Sequence, residues 1–409
     1  MVYVLNKDEK PLMPTKRHGK VRRWLKEGKA VVIHRTPFTI QLTFETKEYI
    51  QDIVLGIDAG SKIIGISAVT EKEEVYSSET VLRTDVVELL SDRRECRRAR
   101  RNRKTRYRKA RFDNRRRKDG WLAPSIRHKI DSHLRLVRKV FEILPITSVV
   151  VEVASFDIQK INNPDIKSAG YQQGEQLDFW NVREYVLHMD GHICRHCSGK
   201  SGDRILDVHH IESRKTGGDA PNNLTTLCGT CHDLHHKDKI VLNAKRGRSF
   251  RDAAFMGIMR WAFYGKLKEL YENVSLTFGY ITKNTRIRNS LEKSHRTDAR
   301  CITGNPGAKP LGYCFRQKFV RKSNRSLHKM KILKGGKRKT NKAERVVLGF
   351  RLYDKVLFND RVCFVFGRRI SGYFDLRLLN GEKISASANV KRIKLLEIGG
   401  TLLTERRKA

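Results

Sequence analysis

The chain has 409 residues, enough for about two to four small domains with cores of their own. Its 85 lysines and arginines outnumber its 44 acidic residues, so the formal charge is +41, which indicates a polyanionic partner and in the first place nucleic acid. No apolar run approaches the roughly 20 residues of a membrane-spanning helix and the N-terminus shows no signal peptide, so no membrane partner is expected and a reducing cytoplasm is the default setting.

The predicted elements alternate between strands and helices. The turn Asp58-Ala59-Gly60-Ser61 divides residues 53–69 into a β-hairpin, and residues 75–82 predict a third strand. The remaining elements up to residue 301 are a helix at 16–29, a strand at 30–33, a helix at 125–144, a strand at 148–153, a helix at 253–271, a strand at 274–282 and a helix at 291–301, with polar linkers at 160–178 and 243–251.

Residues 93–118 are the most basic part of the chain, with 16 lysines or arginines against two acids and no glycine or proline. A basic run is commonly a disordered tail, but this one is internal and flanked by periodic apolar segments, which favours an ordered helix bound to phosphates. The arginines expected to contact nucleic acid are Arg93, Arg94, Arg97, Arg98, Arg100, Arg101, Arg103, Arg106, Arg108 and Arg111.

Four of the eight cysteines form two Cys-x-x-Cys pairs, Cys194/Cys197 and Cys228/Cys231, with 30 residues between them. This ligand type and spacing predict a structural Zn²⁺ site. A closed site of four thiolates is chemically inert, so catalysis is expected elsewhere in the same segment. A zinc ribbon that only binds nucleic acid is the alternative.

Histidines around the second cysteine pair supply that chemistry. His232 and His236 share a helical face and His209 precedes them on a strand, so the three can offer imidazoles to a divalent ion. His210 points to the opposite side of the strand, where it can activate water. Asn223 is placed to orient the His232 ring. The segment resembles the HNH (ββα-metal) nucleases, in which these positions are the metal ligands, the general base and the orienting residue; in RNA-guided relatives an acid often stands at the position of His209.

Three carboxylates predict a second centre. Asp58 and Glu152 lie at the ends of buried strands, and Asp298 shares a helical face with His295. Carboxylates converging from two strands and a helix suit a pair of Mg²⁺ ions about 4 Å apart for phosphodiester cleavage. These segments resemble the three split motifs of a RuvC-like domain, which implies metal ligation by the carboxylates and a water-activating or phosphate-contacting role for His295.

The order of the motifs is similar to that of the IscB family, transposon-encoded prokaryotic RNA-guided nucleases related to the type II CRISPR effectors. The resemblance implies an α/β multidomain fold, with a split RNase H-like mixed sheet, an inserted HNH domain, a long arginine-rich bridge helix and a small C-terminal β-barrel. The expected domains are a PLMP domain at 1–52, RuvC-like parts at 53–90, 121–165 and 253–303, the bridge helix at 91–120, the HNH domain with linkers at 166–252, and a basic linker with the barrel at 304–409.

The resemblance also implies a division of labour. A long structured guide RNA (an omega RNA) pairs with one strand of a double-stranded DNA target, and the barrel interacts with a short adjacent motif. The HNH centre then cuts the guide-paired strand and the RuvC-like centre cuts the displaced strand, in a ribonucleoprotein with one protein chain. A stand-alone HNH nuclease without a guide, or an RNA-binding module with inactive nuclease sites, are the alternatives.

Overall fold

The computed structural model describes residues 1–101, 122–153, 182–213, 221–247, 251–321 and 344–408, without the side chains of residues 100, 101 and 251–255. It divides into two compact units, Met1–Ala154 with Ile258–Ala409, and Ser155–Gly257. The described part is a mixed α/β chain with several sheets, and none of its helices is both long and apolar enough to cross a membrane.

The strands are β1 (Val2–Leu5), β2 (Pro11–Thr15), β3 (Ala30–His34), β4 (Thr39–Leu42), β5 (Val54–Asp58), β6 (Ile63–Val69), β7 (Glu74–Val81), β8 (Ser148–Val153), β9 (Leu206–His210), β10 (Leu224–Cys228), β11 (Val274–Phe278), β12 (Tyr313–Phe319), β13 (Lys355–Phe358), β14 (Arg361–Arg368), β15 (Tyr373–Arg377), β16 (Lys383–Asn389), β17 (Lys394–Glu397) and β18 (Leu402–Lys408). The α-helices are α1 (His18–Lys26), α2 (Val86–Arg101), α3 (Pro124–Phe141), α4 (Val182–Met189), α5 (Gly229–His236), α6 (Arg251–Leu270), α7 (Gly279–Arg288) and α8 (His295–Ile302).

The N-terminal sheet has the strand order β2-β1-β4-β3. Val4, Ile40 and Leu42 of this sheet form a core with Val21 of α1. The basic helix and the strand after it, both predicted from the sequence, are confirmed.

The largest sheet has seven strands in the order β11-β8-β5-β6-β7-β12-β18. The three strands β5, β6 and β7 are antiparallel neighbours, whereas β8 runs parallel to β5 and β11 parallel to β8. The predicted hairpin, third strand and strand at residues 148–153 are therefore confirmed. β5 and β6 are almost entirely buried, as their continuous apolar sequence indicates.

Helix α8 lies unusually close to this sheet, because two glycines face its backbone. A Cβ atom on Gly56 would lie 2.1 Å from the Ala299 carbonyl oxygen, and one on Gly65 would lie 1.9 Å from the His295 carbonyl oxygen. Both distances are far below ordinary contact, so only glycine permits this approach. The approach brings α8 to the end of β5.

The smaller unit is built around the antiparallel pair β9–β10, in which Thr225 lies opposite His209 and Leu224 opposite His210. Helices α4 and α5 flank this pair along the chain. Its core contains cysteines as well as aliphatic residues, among them Cys194, Leu227 and Cys231. A core this small gives a metal ion bound by the cysteines a large share in the stability of the unit.

The C-terminal part departs from the prediction. Residues 355–397 form an open antiparallel sheet in the order β16-β15-β14-β13-β17, and no described pairing joins its two end strands into a closed barrel. Moreover, β12 pairs with β7 and β18 pairs with β12, so both extend the largest sheet. The expected assignment of residues 304–409 to a linker and barrel alone was wrong on this point, because local alternation does not specify a strand's partner.

Candidate functional site

Four of the predicted residues meet where β5 and β8, two interior strands of the largest sheet, end. Asp58 is the last residue of β5, and Glu152 lies on β8, which is parallel to β5 with Val151 opposite Ile57. Asp298 and His295 both lie in the first turn of α8. The sequence places these groups on three separate segments, and the fold brings them together.

The closest contact in this carboxylate centre joins His295 to Asp58. Nδ1 of His295 donates a hydrogen bond of 2.6 Å to Oδ2 of Asp58, whose side chain is buried. This bond is the main reason that the pKa of His295 is raised, since the carboxylate stabilises the protonated ring. The bond joins two residues that are 237 positions apart in the sequence.

Two arginines that sequence analysis did not single out contact the other carboxylates. Nε of Arg286 lies 2.8 Å from Oδ1 of Asp298, and Nη2 of Arg260 lies 3.6 Å from Oε1 of Glu152. Nε of Arg260 also donates a hydrogen bond of 2.9 Å to the carbonyl of Ala59, next to Asp58. A lone arginine in the apolar run Phe-Met-Gly-Ile-Met-Arg260-Trp-Ala-Phe was the available signal, because a buried cation needs a partner.

The electrostatics of this centre favour a cation. Burial is the largest cause that raises the pKa of Glu152 and of Asp298, and the neighbouring charge of Asp58 raises both further. Clustered carboxylates of this kind are the hard oxygen ligands that Mg²⁺ prefers. Asp58, Glu152 and Asp298 are not among the groups of described residues whose ligand atoms all lie within 4.8 Å of one another.

The four predicted zinc ligands form a second cluster. The Sγ atoms of Cys194, Cys197, Cys228 and Cys231 all lie within 4.8 Å of one another. Sγ of Cys197 is 3.8 Å from Sγ of Cys228, and two thiolates on a tetrahedral Zn²⁺ with bonds of about 2.3 Å would be about 3.8 Å apart. The spacing fits Zn²⁺.

The charge balance of this cluster fits the same ion. The hydrogen bond with Ser201 lowers the pKa of Cys197 to about 6, whereas burial raises the pKa of Cys231 above the ordinary thiol range. Four thiolates at this spacing repel one another, so their joint ionisation requires a cation. The Cys₄ cluster could therefore hold zinc next to the histidines.

The predicted histidine ligands form the third cluster. Ring nitrogens of His209, His232 and His236 lie within 4.8 Å of one another, and the Nε2 atoms of His232 and His236 are 3.2 Å apart. Burial, followed by the neighbouring histidines, lowers the pKa of His209 to about 4. The ring is thus neutral near pH 7, which is the form that binds a metal.

Two further side chains belong to this cluster. Oδ2 of Asp207 lies 3.7 Å from Nδ1 of His232, and the ring centroid of His235 lies 4.9 Å from that of His209. A carboxylate behind a metal-binding histidine commonly fixes the orientation of the ring. Neither residue was predicted, although Asp207 precedes His209 by two positions on β9 and so shares its face.

His210 and Asn223 lie on either side of the strand pair's open end. His210 is the last residue of β9, and the alternation of a strand points it away from the face of His209. Asn223 is fully buried; its Nδ2 donates to the carbonyl of Glu212 at 3.0 Å, and its Oδ1 accepts from the Glu212 amide at 2.9 Å. These bonds fix the chain just beyond His210, and the role of Asn223 in orienting the His232 ring stays a prediction.

Helix α2 includes the first part of the predicted arginine helix. Its arginines Arg93, Arg94, Arg97 and Arg98 are all exposed to solvent, and Arg100 and Arg101 belong to its last turn. Arg103, Arg106, Arg108 and Arg111 lie outside the described residues. The four exposed arginines are thus open to a polyanion from more than one side of the helix.

Comparison with known proteins adds two family matches. A model described as "HNH endonuclease" matches residues 194–238, which hold the cysteine and histidine clusters. The chain therefore contains an HNH endonuclease domain. A model described as "RRXRR protein" matches residues 2–174, and no curated protein matches the chain. Endonucleases are hydrolases of phosphodiester bonds, so the match at residues 194–238 is to a hydrolase domain.

Among solved structures, the chain is similar to crystal structures of Streptococcus thermophilus Cas9. For the complex with the AGAA PAM the identity is 14%, the TM-score 0.29, and the match covers 44% of this chain and 26% of that one. For the GGAA PAM complex the values are 14%, 0.31, 50% and 29%, and for the AGGA PAM complex 15%, 0.31, 44% and 26%. The match spans less than a third of the Cas9 chain.

Proposed function

We propose that this endonuclease is RNA-guided and cuts both strands of a DNA duplex at two separate centres. The HNH centre cuts the strand paired with the guide RNA, and the carboxylate centre cuts the displaced strand. The protein is then a nuclease of the IscB type, transposon-associated and related to the CRISPR effector nucleases. The RuvC-like parts, PLMP domain, bridge helix and adjacent-motif domain have the boundaries given above, except that β12 and β18, within residues 304–409, extend the largest sheet.

The main support for a second catalytic centre is the contact of Asp58 with His295. Glu152 and Asp298 lie at the same end of the β5 and β8 strands. Such a group of acids is expensive to assemble unless it has a function, because each carboxylate is partly desolvated next to another. The strand order β7-β6-β5-β8-β11, with three antiparallel strands followed by two parallel ones, supports an RNase H-like sheet.

At the HNH centre, the proposed general base is His210, which takes the proton of the attacking water. Asn223 positions the segment after His210 through its two hydrogen bonds with Glu212. His209, His232 and His236 would hold a divalent ion, which would supply charge stabilisation for the leaving oxygen. The family resemblance implies Mg²⁺ here, but three imidazoles suit a transition-metal ion better than Mg²⁺, which prefers oxygen ligands. Cys194, Cys197, Cys228 and Cys231 would hold the structural Zn²⁺.

At the carboxylate centre, Asp58, Glu152 and Asp298 would hold two Mg²⁺ ions, which stabilise the attacking and leaving oxygens. His295 is held by Asp58 and either moves the proton of the attacking water or contacts the phosphate. Arg260 and Arg286 balance the charge of Glu152 and Asp298 and hold these side chains in the carboxylate centre.

The guide is proposed from charge and from α2. A formal charge of +41 requires a long polyanion, and the exposed arginines of α2 offer planar forks that grip phosphate oxygens in pairs. A structured omega RNA supplies the negative charge that neutralises the protein, and it also supplies the sequence specificity. The active particle is then a ribonucleoprotein with one protein chain.

The test uses the full chain with its co-purifying RNA, which is sequenced to define the target. A duplex with a different label on each strand is then cut by the wild type and two variants. His210→Ala should cut only the displaced strand, and Asp58→Ala only the guide-paired strand. Two independent centres are refuted if either change abolishes both cuts while DNA binding persists. Cutting without any RNA would instead identify a stand-alone HNH nuclease, and RNA binding without cutting an inactive binding module.

A further inference from the structure

Helix α7 begins beside the carboxylate centre with an exposed aromatic pair. The side chain of Tyr280 is 66% exposed although its ring lies nearly parallel to that of Phe278, with the ring centroids 6.1 Å apart and the planes at 10°. An exposed ring that a neighbour already holds in one orientation loses little conformational entropy when a flat ligand stacks on it.

The two faces of α7 have different roles. Thr282 is buried and Arg286 contacts Asp298, so this face is turned to the carboxylate centre. The face that contains Tyr280 and Ile287, seven positions apart, is exposed. The aromatic side chain is therefore on the surface, yet on the helix that supplies a charge partner to the centre.

The charge of α7 indicates what this surface would bind. The helix contains Lys283, Arg286 and Arg288 and no acidic residue, and both Lys283 and Arg288 are exposed. An aromatic ring flanked by cations, on a helix without acids, suits a strand of nucleic acid: the bases stack and the phosphates pair with the cations.

The start of α7 lies close to the carboxylate centre. A Cβ atom on Gly279 would lie 3.3 Å from Oε1 of Glu152, and Tyr280 is the next residue, one Cα step of about 3.8 Å farther along the chain. A strand with a phosphate at Glu152 would thus have a neighbouring base within reach of Tyr280.

We propose that Tyr280, oriented by Phe278, stacks on a base of the single DNA strand that enters the carboxylate centre. Lys283 and Arg288 hold phosphates of the same strand along α7. A duplex cannot use this subsite, because the faces of its bases are covered by their neighbours. The inference rests on the proposed function of the carboxylate centre and adds the means by which that centre selects an unpaired strand.

The test is photocrosslinking, which reports on contact at one residue in spite of the many other cations of the chain. The full chain with its co-purified RNA is mixed with a short single-stranded DNA of mixed sequence that contains 5-iododeoxyuridine, irradiated and digested, and the crosslinked peptide is identified by mass spectrometry. The crosslink should map to Tyr280. Tyr280→Phe should retain it, whereas Tyr280→Leu should reduce the yield at limiting DNA by at least about fivefold, the loss expected for one stacked base.

Tyr49 provides a matched control, since it is 73% exposed and lies outside α7. Tyr49→Leu should leave the yield unchanged. The subsite is refuted if Tyr280→Leu crosslinks like the wild type, or if the crosslinks map outside α7. It is also refuted as a DNA subsite if an RNA of the same sequence with 5-iodouridine crosslinks to Tyr280 and the DNA does not.

Failure of the subsite can be separated from failure of the centre with Asp58→Ala. This variant should still crosslink to Tyr280, because stacking does not require Asp58. Loss of displaced-strand cutting in Asp58→Ala, without a Tyr280 crosslink in any protein, supports the centre and overturns the subsite. If Asp58→Ala still cuts both strands and still crosslinks at Tyr280, single-stranded DNA binds at α7. That outcome would overturn the proposal that α7 serves a catalytic centre.

Discussion

Gly65→Ala should disable the carboxylate centre alone. Gly65 pairs with Asp58 across the β5–β6 ladder, and a Cβ atom there would lie 1.9 Å from the His295 carbonyl oxygen. To reach the ordinary contact distance of 3.4 Å, α8 must move by about 1.5 Å. The bond of 2.6 Å between His295 and Asp58 would then be lost. Overpacking of this kind costs about 1–3 kcal/mol.

A displacement of about 1 Å at a reacting centre can cost about a hundredfold in rate. We therefore expect cutting of the displaced strand to fall by about that factor, while the guide-paired strand is cut at the wild-type rate. The assay is single-turnover cutting of a duplex labelled on each strand. Gly265→Ala is the control: Gly265 lies inside α6 with no atom within 4 Å of an added Cβ, so the change should stabilise the helix by about 1 kcal/mol and leave both cuts intact. Equal rates on both strands in Gly65→Ala would refute the role given to α8.

Three further outcomes are expected. Elemental analysis should find about one zinc per chain, and Cys228→Ser should release it and unfold the HNH domain; free reaction of all four thiols in the native protein would exclude the site. Replacing Arg97, Arg101 and Arg108 together by Ala should weaken binding of the co-purified RNA and flatten its salt dependence by about 0.7–0.9 per lost phosphate contact; an unchanged slope would remove this helix from the RNA interface. Burial lowers the pKa of His133 to about 4, so the neutral ring favours folding at neutral pH, and this stability is lost as the pH falls from about 6.5 towards 4, by about 3 kcal/mol. In urea unfolding, the free energy of unfolding of His133→Leu should depend less on pH over that interval than that of the wild type. An identical pH dependence would contradict the lowered pKa of His133.

Local sequence patterns were sufficient for most of the elements around the candidate sites. The hairpin at residues 53–69 and the helix at residues 125–144 followed from alternation and from helical spacing, and both are confirmed as β5–β6 and α3. The strand expected at residues 274–282 ends earlier, at Phe278, because α7 begins at Gly279. Nothing in the alternation of this segment marks the change, since its apolar residues suit either structure.

Some residues of the candidate sites could likewise be predicted from local sequence patterns, and others could not. Cys-x-x-Cys spacing and histidines four positions apart place the members of each pair side by side. All of these residues lie in one short segment, so the sequence alone predicted which of these side chains meet. The partners Arg260 and Arg286 were not predicted, because each is joined to its carboxylate by tertiary packing rather than by spacing along the chain. A buried arginine indicates that an acid is near but not which acid.

The two arginines also explain how the carboxylate centre can exist before it meets metal or DNA. Without a cation, Glu152 and Asp298 would be partly buried beside the charge of Asp58, which raises the pKa of both. Arg260 and Arg286 supply that cation from α6 and α7, and both of these helices come after the HNH segment in the chain. The HNH centre differs, since His209 to His236 and all four cysteines lie within one short segment and need only their own ions. The carboxylate centre therefore depends on the folding of the whole larger unit, whereas the proposed HNH centre would depend on its zinc, and the two should fail under different perturbations.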